Sequence, residues 1–216
     1  MSKKYEIFLF DLDGTITDSA LGITNSVMYA LKKFGIEETD RAKLYKFIGP
    51  PLTESFEKFY GFTKEQSVDG VKYYREYYHD KGIYENRVYD GLEEVLKKIK
   101  EAGKQAIVAT SKPEKYAKII IDHFHLTQYF ACVAGMEMDG GRGTKAQVIT
   151  YALEKNDIAD KSNVLMIGDR EHDVIGAHEN GLDCLGILYG FGSRKEFEEA
   201  GADYIRENVE DILQFV

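Results

Sequence analysis

The chain has 216 residues, of which 44% are hydrophobic and 30% are charged, a balance typical of a soluble globular protein rather than a disordered one. Its 28 Lys and Arg residues against 37 Asp and Glu residues give a net charge of −9. That charge argues against a protein that wraps nucleic acid, because such binding needs a basic surface. A small anionic substrate is compatible with this net negative charge if positive charge is concentrated in one site.

Cysteine usage and the N-terminal residues indicate where the protein works. Cys132 and Cys184 lie in separate apolar runs and are too few for a disulfide framework, so we expect two separate buried thiols and a reducing, cytoplasmic location. The apolar run that begins at Tyr5 is too short for a signal sequence. No run approaches the roughly 18 apolar residues of a membrane span, so no membrane partner is expected.

Short apolar runs, typical of parallel strands covered on both faces, alternate along the chain with helical patterns. The runs are Tyr5–Phe10, Ala106–Ala109, Cys132–Ala134, Val164–Ile167 and Cys184–Leu188. The predicted helices are one that begins at Asp90-Gly91-Leu92-Glu93 and ends at Gly103, and two more over Lys145–Lys155 and Glu171–Asn180. This alternation predicts an α/β fold with a doubly wound parallel sheet and right-handed crossovers.

Residues from about 19 to 83 break the alternation, because they contain four helical patterns and no strand pattern. The patterns are Ser19–Phe34, Arg41–Ile48, Thr53–Tyr60 and Lys64–His79. About 65 residues is close to the smallest size that folds as a unit. We therefore predict a helical domain at residues 18–83, inserted into an α/β core formed by residues 1–17 and 84–216.

Four tyrosines in the last of these helices form two pairs at i, i+4 spacing, Tyr73 with Tyr77 and Tyr74 with Tyr78. Packing inside the helical domain is the simplest interpretation. A surface that stacks on a nucleobase, contacts the core or forms a dimer is the alternative.

The residues that follow the predicted strands carry the chemistry, because ligands of an open parallel sheet bind beyond the carboxyl ends of its strands. Asp11-Leu12-Asp13 ends the first strand, Thr110-Ser111-Lys112 the second, and Asp169-Arg170-Glu171-His172-Asp173 the fourth. Lys145 begins the helix before that fourth strand. Carboxylates, a hydroxyl and an ammonium group are thus expected at one edge of the sheet.

These groups suit phosphoryl transfer. A carboxylate can attack phosphorus and form an acyl phosphate, which divides one difficult step into two. Mg²⁺, which prefers oxygen ligands, removes the repulsion between that carboxylate and a phosphate dianion. Lys145, Thr110 and backbone amides would neutralise and hydrogen-bond the transferred oxygens. A second carboxylate two residues along can protonate the leaving oxygen and later activate water.

These segments resemble, in order, the four motifs of the haloacid dehalogenase-like hydrolase superfamily, specifically its phosphoglycolate phosphatase-like branch with a helical cap. Asp11–Ser19 resembles the first motif, Thr110–Pro113 the second, Lys145 the third and Gly168–Asp173 the fourth. The likeness covers essentially the whole chain. It implies that the helical insert is a cap domain attached to a Rossmann-like core.

The resemblance also implies roles for the aspartates. Asp11 would be the nucleophile and Asp13 the general acid/base. Asp11, the backbone carbonyl of Asp13 and Asp169 would hold Mg²⁺, with Asp173 supporting the metal site from outside. The residues expected to bind the substrate phosphate are Gly14, Thr110, Ser111 and Lys145, with Thr110 contributing its hydroxyl and Ser111 its amide.

Other residues are expected at the margin of the site. Gly49 and Pro50 lie in a Gly-Pro-Pro connection between two helices of the insert. They are the best candidates in that domain for a substrate contact, because the prolines fix a rigid connection. Lys112 is expected to face solvent or to support the site from outside. His172 is expected at an exposed helix position, with a substrate contact as the alternative.

The sequence therefore predicts a Mg²⁺-dependent phosphatase that hydrolyses a small phosphate monoester through an aspartyl-phosphate. Phosphoglycolate, a nucleoside monophosphate and a sugar phosphate are the candidate substrates, and no nucleic acid polymer is expected as a partner. A monomer or a homodimer is expected.

Asp13 favours a phosphatase, since the dehalogenases of the superfamily lack the second aspartate. Two alternatives remain: a sugar phosphomutase of the same superfamily, and a catalytically silent protein that binds a partner.

Overall fold

The computed structural model describes residues 4–138 and 141–216, which form two compact units. The α/β unit comprises the chain up to residue 17 and from residue 88 onward, and the helical unit comprises residues 18–87. The second boundary thus lies at 87/88, four residues beyond the predicted 83/84.

Glu85 explains why the helical unit extends past the predicted boundary. The backbone N–H of Gly22 donates to the carbonyl oxygen of Glu85 (3.0 Å). The Glu85 carboxylate accepts hydrogen bonds from Asn25 (2.8 Å) and from the Tyr77 hydroxyl (3.0 Å). These contacts attach the segment after the last helix of the unit to its first helix.

The strands confirm the predicted doubly wound, Rossmann-like core. In the described residues they are β1 (Ile7–Phe10), β2 (Thr17–Asp18), β3 (Arg87–Val88), β4 (Gln105–Pro113), β5 (Phe130–Met136), β6 (Val164–Gly168), β7 (Asp183–Ile187) and β8 (Tyr204–Arg206). Six of them form one sheet in the order β5-β4-β1-β6-β7-β8, with every neighbouring pair parallel. β2 pairs with β3 in a separate two-stranded ribbon.

The α-helices of the described residues are α1 (Ala20–Lys33), α2 (Leu52–Tyr60), α3 (Lys64–Tyr77), α4 (Leu92–Glu101), α5 (Glu114–His123), α6 (Lys145–Lys155), α7 (Glu171–Glu179) and α8 (Arg194–Ala200). The predicted helix at Arg41–Ile48 is a 3₁₀ helix over Arg41–Phe47. The predicted helix at Lys64–His79 ends earlier, at α3, and continues as a π-helical turn over Tyr78–Gly82. Among the described helices, none is long and apolar enough to cross a membrane.

Part of the core of the α/β unit lies between the sheet and α6, α7 and α8. Alternate residues of the central strands, such as Leu9, Ile107 and Met166, are fully buried and belong to one apolar cluster with Val148 and Val174 of the helices. This packing fixes the strand ends, and with them the residues that follow the strands. Cys132 and Cys184 are free thiols, as predicted, but only Cys184 is buried, whereas Cys132 near the edge of the sheet is half-buried.

The tyrosine pairs of α3 pack inside the helical unit, which supports the simpler of the two interpretations. Tyr74 and Tyr78 are buried and stacked, with ring centroids 5.3 Å apart. Tyr77 packs against Tyr29 of α1 (5.6 Å) and Tyr73 against Phe34 (5.7 Å). Elsewhere in the unit, Gly49 is exposed and Pro50 half-buried in the bend before α2.

Candidate active site

The site lies at the carboxyl ends of the central strands, where the topology predicts it. Asp11 follows β1, Thr110 lies near the end of β4 and Asp169 follows β6. Lys145 is the first residue of α6, whose start is fixed by a capping box between Thr144 and Gln147. The sheet order places β1 between β4 and β6, so these side chains converge on Asp11.

Lys145 is the centre of a buried ion-pair network. Its Nζ lies 2.5 Å from Oδ1 of Asp11 and 2.7 Å from Oδ1 of Asp173, and it also donates to the carbonyl oxygen of Ala109 (3.1 Å). All three charged side chains are at most 10% exposed. Burial acts to lower the pKa of Lys145, but Asp11 and Asp173 together raise it above its ordinary value. Lys145 therefore carries a positive charge at any physiological pH.

Asp173 is held at both carboxylate oxygens. Oδ1 faces Lys145, and Oδ2 accepts a hydrogen bond from the backbone N–H of Arg170 (3.0 Å) at the start of α7. This arrangement fits the expected supporting role, because Asp173 positions both Lys145 and the helix that follows Asp169.

Asp169 is fully buried and held by backbone. Its Oδ2 accepts a hydrogen bond from the backbone N–H of Phe191 (2.8 Å), in the loop after β7. Gly14 has a φ of +88° and lies close to this oxygen, since a Cβ at Gly14 would be 2.1 Å from it. Gly190 is also close, since a Cβ there would be 2.4 Å from the Cβ of Asp169. Sequence reasoning missed this loop, although two glycines flank Phe191 just beyond a strand end.

Asp13 is paired with a lysine that the sequence analysis placed at the margin of the site. The Nζ of Lys112 lies 2.6 Å from Oδ2 of Asp13, and its side chain is only 5% exposed. Lys112 therefore does not face solvent. Its backbone N–H donates to the hydroxyl oxygen of Thr110 (3.1 Å), which leaves the Thr110 hydroxyl hydrogen free to be donated elsewhere.

The carboxylates of the site outnumber its ammonium groups, and the pKa values of Asp11 and Asp169 are raised. Carboxylate oxygens of Asp11, Asp169 and Asp173 lie within 4.8 Å of one another. Burial raises the pKa of Asp11 to about 6 against the opposing effect of Lys145. Burial, and then the charges of Asp173 and Asp11, raise the pKa of Asp169 well above its ordinary value. A divalent cation fits this site, because it would relieve that excess of negative charge with the oxygen ligands Mg²⁺ prefers.

The remaining predicted residues are placed as follows. Ser111 is half-buried within β4, one residue beyond Thr110. His172 lies in the first turn of α7, where it is half-buried rather than exposed as predicted. Gly49 and Pro50 belong to the helical unit, and their contact with substrate stays a prediction.

Comparisons with known proteins identify the family of this chain. A sequence model described as haloacid dehalogenase-like hydrolase matches residues 8–187. A 5'-nucleotidase of Pseudomonas aeruginosa is 46% identical over 193 residues, which cover 89% of this chain and 87% of that protein. The tyrosine-protein kinase PtkA of Mycobacterium tuberculosis is 35% identical over 87% of this chain and 63% of its own length. A solved structure described as a predicted phosphatase from Clostridium acetobutylicum superposes with a TM-score of 0.94, at 48% identity over 98% of both chains.

Proposed function

Since the chain belongs to the haloacid dehalogenase-like hydrolases and is a phosphoric monoester hydrolase, we propose that it cleaves a small phosphate monoester through an aspartyl-phosphate on Asp11. One observation carries the proposal: a buried carboxylate, Asp11, is held by the ammonium of Lys145 within an acidic cluster. A carboxylate fixed in this way can be aimed at phosphorus, and the neighbouring cation can neutralise the phosphate oxygens.

In the first step, an oxygen of Asp11 forms a bond to phosphorus while the bond from phosphorus to the leaving oxygen breaks. Asp13 gives a proton to that leaving oxygen, and the product alcohol departs. Lys145 holds Asp11 and faces the transferred oxygens, and the Thr110 hydroxyl donates its hydrogen to one of them. The amides of Ser111 and Gly14 are proposed to complete the phosphate site.

In the second step, water attacks the phosphorus of the aspartyl-phosphate and releases inorganic phosphate. Asp13, now ionised, accepts a proton from that water, so the same carboxylate serves as acid and then as base. The carboxylate of Asp11 leaves phosphorus and is regenerated. Lys145 stays ion-paired to Asp173 during this cycle, which keeps its charge at the reacting group.

We propose that Asp11, Asp169 and the backbone carbonyl of Asp13 hold Mg²⁺, and that Asp173 supports them by fixing Lys145. When bound, the cation shields the carboxylates from the phosphate and stabilises the transferred charge. The fit rests on the three clustered carboxylates and on the raised pKa values of Asp11 and Asp169. The backbone contacts to Asp169 hold it ready for such an ion.

Asp169→Asn tests the cation site without measuring activity. Because the folded-state pKa of Asp169 is raised above 3.8, its ionisation opposes folding, and this opposition grows as the pH rises above that value. Asn keeps an oxygen for the Phe191 N–H but carries no charge. In EDTA at pH 7 the variant should unfold at a higher temperature than the parent, and the difference should shrink toward pH 4.

Adding Mg²⁺ should then raise the unfolding temperature of the parent and not that of the variant, because binding to the folded state alone stabilises it. Calorimetric scans with and without Mg²⁺ measure both effects. Asp122→Asn, at an exposed position, is the matched control and should leave both unchanged. Equal unfolding temperatures in EDTA together with an equal response to Mg²⁺ would remove Asp169 from the metal site.

Among the candidate substrates we propose a nucleoside 5'-monophosphate, supported by the 46% identity to a protein named 5'-nucleotidase. The test is a phosphate-release screen over nucleoside 5'-monophosphates, phosphoglycolate and sugar phosphates. We expect kcat/KM for at least one nucleotide to exceed that for the other two classes by about tenfold or more. A phosphomutase would instead isomerise a sugar phosphate without releasing stoichiometric phosphate, and that result would overturn the phosphatase proposal.

A further inference from the structure

The end of β4 departs from regular strand pairing at the point where it enters the site. Thr110 of β4 pairs with Gly135 of β5, but the next paired residue on β4 is Pro113, opposite Met136. Ser111 and Lys112 are thus extra residues between two paired positions. Irregularities of this kind redirect side chains and are common beside active sites.

The redirected Lys112 side chain is buried against Asp13. Its Nζ and Oδ2 of Asp13 are 2.6 Å apart, with side chains 5% and 13% exposed. Oδ1 of Asp13 is also buried, and it has no hydrogen-bond partner in the part of the chain that the structure describes. Among the residues that the structure describes, Lys112 thus contacts one oxygen of the Asp13 carboxylate and leaves the other oxygen unbonded.

We propose that Lys112 is a positioning residue for the general acid/base: it holds Oδ2 of Asp13 and thereby directs Oδ1 to the leaving oxygen and later to water. This inference rests on the proposed function, in which Asp13 transfers protons. Lysine has a long side chain, and it is buried here at the expense of its hydration. Neighbouring Thr110 and Lys145 already provide a hydroxyl and a cation for the transferred phosphate.

If Lys112 acts through Asp13, the effect of removing its ammonium group should depend on the leaving group of the substrate. An alkoxide leaving group needs a proton, whereas p-nitrophenolate leaves as a stable anion. Lys112→Met keeps the length of the side chain and removes the ammonium group. In single-turnover experiments Lys112→Met should slow cleavage of an alkyl phosphate by about tenfold or more. Acid–base catalysis contributes about 10²–10⁴ to such a rate, and the substitution should remove part of that contribution. Cleavage of p-nitrophenyl phosphate should slow by less than about threefold, with KM for both substrates little changed.

A double-mutant cycle separates this role from direct contact with substrate. If Lys112 acts only through Asp13, Lys112→Met should have no further effect on the alkyl rate in an Asp13→Asn background. If both substrates slow equally, or if the two substitutions multiply in their effects, Lys112 acts on the phosphate or on the fold and the proposal is wrong. The exposed Lys115, changed to Met, is the matched control for charge and should leave all rates unchanged.

Lys112→Arg keeps the charge and is used if Lys112→Met does not fold. A larger loss for the alkyl than for the aryl phosphate supports the proposal, and equal losses overturn it. Failure of the proposed function itself has a different signature: no phosphoenzyme would form on Asp11 in the parent protein. The Lys112 proposal can therefore fail while the aspartyl-phosphate mechanism holds.

Discussion

Asp11→Asn should lower kcat by about 10⁴-fold or more while the protein stays folded. An amide cannot form the acyl phosphate, so the two-step route is lost. The substitution is nearly isosteric, and the amide oxygen can still accept a hydrogen bond from Lys145, which also keeps its ion pair with Asp173. Steady-state phosphate release, acid-quench trapping of phosphoenzyme and thermal unfolding together test this expectation.

The trapping experiment gives the sharper result. The parent should yield a phosphoenzyme that is labile at alkaline pH, as an acyl phosphate is, and Asp11→Asn should yield none. Asp122→Asn, exposed at the end of α5, provides the control for an Asp-to-Asn change. If Asp11→Asn retained turnover within tenfold of the parent, Asp11 would not be the nucleophile.

Asp13→Asn should slow the two chemical steps differently. Cleavage of an alkyl phosphate should fall by about 10²–10⁴, because the poor leaving group loses its proton donor. Cleavage of p-nitrophenyl phosphate should fall much less in the first step. Hydrolysis of the aspartyl-phosphate should slow for both substrates, because no carboxylate then accepts the proton from water. Phosphoenzyme should therefore accumulate when the aryl substrate is used.

Rapid-quench single-turnover kinetics with the two substrates measure these effects directly. Asp13 is paired with Lys112 whereas Asp11 is paired with Lys145, so the two aspartates are held by different ammonium groups. An equal loss for both substrates with no trapped phosphoenzyme would assign the acid/base role to another residue. His172, half-buried at the start of α7, would be the next residue to test.

The centre of the site was predictable because it depends on topology. Asp11 and Asp169 end apolar runs, and the ends of parallel strands meet at one edge whatever the details of packing. Lys145 was predictable for the same reason, since it begins the helix between two such strands. The ion pairs of Lys145 with Asp11 and Asp173 are compatible with this convergence, but only the structure shows them.

Lys112 and the Phe191 loop were not predictable in the same way. A lysine in a polar segment is usually solvated, and the irregular pairing that turns Lys112 inward depends on β5, which lies elsewhere in the sequence. The hydrogen bond from Phe191 to Asp169 depends on a loop after β7. The 87/88 boundary likewise depends on Glu85 bonding to a distant helix. Such contacts between remote segments leave no local pattern.

Three glycines that lie in close contact with the aspartates of the site limit which positions of this enzyme tolerate substitution. A Cβ at Gly14 would lie 2.1 Å from Asp169, one at Gly168 2.1 Å from Asp173, and one at Gly190 2.4 Å from Asp169. Any side chain there would displace a carboxylate, so random substitution at these positions would mostly yield inactive protein. A library designed to change the activity of this enzyme should therefore leave Gly14, Gly168 and Gly190 unchanged.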